Sequence, residues 1–113
     1  MGWYVLVERI RHGEWHLVDK VFVEGDRDAA LVRGEEIART LPMYLATASD
    51  PCGRQVFLTS PTSWFVELRG SSWAKGAKSP TEFTEHLTVR VAELVHVQEL
   101  VPAEPTAKRR FGR

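Results

Sequence analysis

The sequence predicts an α+β domain: an antiparallel sheet of about five strands in ββαβββ order, with one helix packed on one face. Three observations carry this. Several short runs rich in Val, Trp, Tyr, Phe and Leu are punctuated by turn residues; one window has helical period with a cap and a stop; and 113 residues at 43% hydrophobic and 27% charged are the size and composition of one globular domain. Such a chain buries a little over ~60% of the surface its extended form exposes, enough for a modest core without staples.

Residues 3–10 and 15–23 read as a hairpin around Arg11-His12-Gly13-Glu14. In the second of these strands strict alternation puts Trp15, Leu17, Asp19, Val21 and Val23 on one face and His16, Val18, Lys20 and Phe22 on the other. The first strand is apolar on both sides, with Trp3, Val5 and Val7 opposite Tyr4, Leu6 and Ile10, so something should cover both of its faces.

A helix over residues 27–41 follows, N-capped by Asp26, with Asp28 in its first turn and Pro42 ending it. Its inward stripe is Ala30, Leu31, Gly34, Ile37, Ala38 and Leu41. Gly34 costs up to about 1 kcal/mol in a helix interior relative to alanine, so its place on the stripe implies close approach of helix backbone to sheet.

Asp50-Pro51-Cys52-Gly53 fits a type I turn, and strands over 55–59 and 64–69 form a second hairpin about Ser60-Pro61-Thr62-Ser63. The last alternation, Leu87, Val89, Val91, Val95 and Val97, reads as a fifth strand within 83–100, with strand-then-helix as the competing reading. The domain is taken as 1–101. Residues 102–113, with two prolines and a basic end, read as a disordered tail.

Charge and cysteine use narrow the function classes. Fifteen basic residues balance fifteen acidic ones, so no global field draws the chain to nucleic acid or an acidic membrane. The single Cys52 forms no internal bridge, no secretory leader opens the sequence and no apolar run approaches the ~20 residues of a membrane span; the expectation is a cytoplasmic protein away from the membrane.

Chemistry-bearing motifs are sparse. His12 and His16 stand roughly 13 Å apart if extended at about 3.3 Å per residue, and His86 and His96 farther, so neither pair offers local metal-ligand spacing, and no metal or cofactor is expected. Cys52 sits in a turn motif, no nucleophile elbow, phosphate-cradling glycine loop or Cys-x-x-Cys occurs, and nothing marks two of the glutamates as a catalytic pair. The balance is against an enzyme.

Four tryptophans, Trp3, Trp15, Trp64 and Trp73, are many for this length, and one helix of about four turns cannot blanket both faces of five strands. The leading expectation is an interaction or regulatory module, a homodimer joined through an aromatic sheet face, with a further protein partner possible; strong curling of the sheet is the partner-free alternative. A second reading is a weak nucleic-acid binder using Arg69, Trp73, Lys75 and Lys78 with the tail cations Lys108, Arg109, Arg110 and Arg113, against the plainer view that Trp73 folds back over the sheet edge. A third is a small-molecule binder or cofactor-free enzyme on the concave side of the sheet near Trp15, His16 and Trp64.

The segments Gly2-Trp3-Tyr4-Val5-Leu6-Val7-Glu8, Gly25-Asp26-Arg27-Asp28-Ala29-Ala30-Leu31 and Val89-Arg90-Val91-Ala92-Glu93-Leu94-Val95 resemble those of small uncharacterised actinobacterial α+β proteins. The resemblance runs over most of the chain up to Val97. It implies a bacterial cytoplasmic origin and transfers no activity, cofactor or site.

Overall fold

A computed structural model describes residues 2–43 and 52–105. Strands β1 (Gly2–Arg11) and β2 (Glu14–Val23) precede helix α1 (Arg27–Thr40), and β3 (Cys52–Ser60), β4 (Ser63–Ser72) and β5 (Thr81–Leu94) follow it. All five strands form one antiparallel sheet in the order β2-β1-β5-β4-β3. The expected ββαβββ α+β architecture is the observed one.

The first hairpin turns at His12 and Gly13, with φ of 54° and 77°. Positive φ at both central residues is the geometry whose twist matches that of the flanking strands, and Gly13 adopts it at no steric cost. Asp26 caps α1 as expected, its carboxylate accepting a hydrogen bond from the Ala29 backbone N–H at 3.0 Å. The helix ends just before Leu41, which takes the extended backbone that a residue preceding proline prefers. Arg54 of β3 closes its C-terminus by donating to the carbonyl oxygens of Ala38 and Leu41, a cation placed where the helix dipole is negative.

Helix α1 lies on one face of the sheet. Val5, Val7, Trp64, Val66, Leu68, Leu87, Val89 and Val91 meet Ala30, Ile37 and Ala38 there in a single core. Gly34 explains how the layers come so close: a Cβ on it would stand 2.7 Å from Trp64 Cζ3 and 3.0 Å from Val91 Cγ2. The close approach inferred from the helix stripe is present, and the Trp64 ring fills the space a side chain would need.

Three details depart from the sequence expectations. First, β2 does not alternate throughout. Val7 pairs with Asp19 but Glu8 pairs with Leu17, so Val18 is an extra residue, a bulge that reverses the facing of everything before it. Trp15 and Leu17 therefore lie on the opposite face from Val21 and Val23. Second, β3 starts at Cys52, so Cys52 and Gly53 are strand rather than turn; Asp50 and Pro51 lie outside the described residues. Third, β5 ends at Leu94, and residues 95–105 continue with neither the strand pairing nor the helix that was expected for the end of the 83–100 segment. Leu94 is paired with Gly2, the first residue of β1, and this is the last described pair of the ladder.

Candidate functional site

Strand register sorts the side chains onto two faces. Opposite the helix stand Tyr4, Leu6, Glu8 and Ile10 of β1, Trp15, Leu17, Lys20 and Phe22 of β2, Gln55 and Phe57 of β3, Phe65 and Glu67 of β4, and His86, Thr88 and Arg90 of β5. No second layer of described residues covers this face. Its aromatic groups organise in two clusters. Tyr4 and Phe22 meet edge to face with ring centroids 5.5 Å apart, and Phe65 lies between Phe57 at 6.3 Å and the stacked His86 ring at 5.4 Å. Each spacing falls within the range of favourable aromatic pairs.

Beside the second cluster lies a cleft of about 650 Å³ with Ile10, Trp15 and Phe65 as its apolar walls. Glu8, Thr88 and Arg90 line it from the middle of the sheet, and Thr59 and Ser63 close the end beside the β3–β4 turn. Arg90 is ion-paired to Glu8 across β1 and β5, while Glu67 and His86 approach to 3.3 Å on the neighbouring strands. Thr88 Oγ1 is buried yet has no hydrogen-bond partner among the described residues. A buried hydroxyl left without a partner costs about 1–3 kcal/mol, so it is a place where an arriving polar group gains more than usual. The apolar walls and few polar groups resemble the lining of recognition sites in general, and the cleft carries no nucleophile and base arranged for catalysis.

The bulge at Val18 builds this site. Without it Trp15 would sit on the helix side and the cleft would lose one wall. Sequence alternation misses this, because a bulge has no composition signal when the extra residue is itself a strand former.

The residues singled out from sequence are not gathered in one place. Trp15 lines the cleft, half-exposed at 53%, whereas Trp64 is 6% exposed beneath α1 on the other face. His16 pairs with Arg9 in the ladder and so faces the helix side; its ring stands 3.6 Å from the Glu14 carboxylate on exposed strand. Trp64 is a core residue, and its expected place beside Trp15 and His16 is corrected by the register. Arg69 is an exposed residue of β4, and Trp73, Lys75 and Lys78 belong to the connection before β5. Trp73 is 65% exposed rather than folded back over the sheet edge. Lys108, Arg109, Arg110 and Arg113 lie outside the described residues. The members of the site that sequence reasoning passed over are Glu8, Ile10, Thr59, Ser63, Phe65, Thr88 and Arg90. Ile10 and Phe65 were visible as apolar strand residues; nothing local marked the other five.

Among the described residues no three His, Cys, Asp or Glu side chains come together as a metal-binding group, and no described helix is long and apolar enough to cross a membrane. No protein-family model, curated protein or solved structure matches the chain. The case for function therefore rests on the open face.

Proposed function

We propose that the protein is a non-enzymatic interaction module that self-associates through the sheet face opposite α1. The observation that carries this is the face itself: Trp15, Leu17, Phe22 and Phe57 are exposed on a sheet whose other side carries the core under α1. A sheet is stable when both apolar faces find cover, and exposed apolar patches beyond a few hundred Å² mark interaction sites.

A second copy is the occupant that fits best. Five strands about 4.8 Å apart and some ten residues long at about 3.3 Å each present roughly 800 Å², which is what each partner contributes to a standard stable interface. The face also mixes signs, with Glu8 and Glu67 against Lys20 and Arg90, and the whole chain is formally neutral, so two copies meet without net repulsion.

Light scattering with multi-angle detection on the full chain tests this. The expected mass is that of a dimer at both low and high salt, because apolar burial is not screened. Trp15→Glu combined with Phe57→Glu is expected to give a monomer that keeps its cooperative unfolding transition. A wild-type monomer at high micromolar concentration overturns the reading; if that monomer also held single-stranded nucleic acid at low salt only, the cations Arg69, Lys75 and Lys78 would become the better basis for function.

A further inference from the structure

Beyond Leu94 the chain runs through Val95, His96, Val97, Gln98, Glu99, Leu100 and Val101 without joining the sheet, and it carries its aliphatic side chains into solvent: Val95 is 75% exposed, Leu100 88% and Val101 82%. These four aliphatic residues outside the sheet are a second apolar surface that no described residue covers, on the same molecule as a cleft open on the face opposite α1.

The arm does not reach the cleft of its own chain with its leading residues. Thr88 lies six residues before Leu94 on β5, about 20 Å away at strand rise, and the arm begins only after Leu94. Returning would require a reversal within Val95-His96-Val97-Gln98, which holds no Gly, Pro, Asn or Asp to make one. The cleft, in turn, asks for an extended peptide rather than side chains alone. Its walls Ile10, Trp15 and Phe65 suit aliphatic groups, and the unpartnered Thr88 Oγ1 suits a backbone N–H or C=O.

We infer that the C-terminal arm over residues 95–101 of one copy occupies the Ile10–Trp15–Phe65 cleft of a second copy, and reciprocally, so that the dimer is clasped by exchanged arms. This rests on the self-association reading and adds the segment that secures it. A two-fold pairing satisfies both arms and both clefts at once and leaves no open end for further growth.

Two measurements on the full chain test the clasp. In the first, Val95→Ser, Val97→Ser, Leu100→Ser and Val101→Ser are combined, and dimer dissociation is followed by dilution. All four residues are exposed, so the fold is expected to survive while the dissociation constant rises at least about 100-fold, the loss of about 2.7 kcal/mol of association. In the second, a benzophenone photocrosslinker is placed on Val97→Cys in a Cys52→Ser background, mixed with isotope-labelled wild type and illuminated. Crosslinks to labelled peptides containing Ile10, Trp15 or Phe65 are expected. A wild-type dimer whose dissociation is unchanged by the four serines, or crosslinks confined to the same chain, overturns the clasp and leaves the face-to-face dimer standing. A wild-type monomer overturns both.

Discussion

The two faces of this sheet are built from the same strands yet differ in what they do. On the helix side, β4 and β5 contribute Trp64, Val66, Leu68, Leu87 and Val89 to the core, and the only buried charged group among the described residues, Glu85, stands 2.8 Å from Arg9 Nε. On the other side the same two strands contribute Phe65, Glu67, His86, Thr88 and Arg90, a mixture of rings, charges and an unpartnered hydroxyl. Alternation along a strand makes this division automatic, since neighbours in sequence point to opposite faces. One face holds the molecule together, and the other is left uncovered by the described residues. The contrast teaches that aromatic content alone does not separate core from site: Trp64 and Trp15 differ in role because of register, not residue type.

The contrast is breakable by substitution. Its largest expected effect is on the packed face, where Leu87→Ala should cost about 2–5 kcal/mol of folding stability by denaturant unfolding, through lost burial and a residual cavity. Phe57→Ala on the open face should cost less than about 1 kcal/mol in the same assay on dissociated protein. Equal losses at the two positions would mean that the open face is part of the monomer's core. Next in size is Gly34→Ala. The added methyl gains up to about 1 kcal/mol of helix propensity but must displace the Trp64 ring or the helix, and a net loss of about 1–2 kcal/mol in thermal unfolding is expected. A stabilised variant would show that the helix–sheet spacing is looser than 2.7 Å implies. The smallest effect sharpens the open face alone. Thr88→Val removes the unpartnered hydroxyl at nearly constant shape, so the dissociated chain should unfold within about 1 kcal/mol of wild type or be slightly more stable, while association weakens by roughly 1 kcal/mol as the bond made in the complex is lost. Association unchanged by Thr88→Val would deny that hydroxyl any part in recognition.

Much of the fold is legible in the sequence. The hairpin at His12-Gly13, the Asp26 cap, the Pro42 stop and the inward stripe containing Gly34 are local signals, each set by a few residues whose backbone preferences or spacing act over one or two turns of chain. The site was legible only in outline, as a surplus of aromatic residues on strands that one helix could not cover. Trp15 was the one sequence-selected residue that proved to line the cleft, and it was grouped with Trp64 and His16, which face the other way.

What the sequence alone determined is therefore the set of elements and the inward stripe of the helix, because period, caps and turn chemistry are properties of neighbouring residues. What only the tertiary structure decided is the open face. The strand order placed β5 between β1 and β4, and so brought Glu8 to Arg90 and Ile10 toward Phe65; the Val18 bulge turned Trp15 to join them; and the pairing of Leu94 with Gly2, the first residue of β1, is where the described sheet stops. Each of these depends on which distant strand lies alongside and in what register, a choice made by the total burial of the sheet rather than by any residue's own preference.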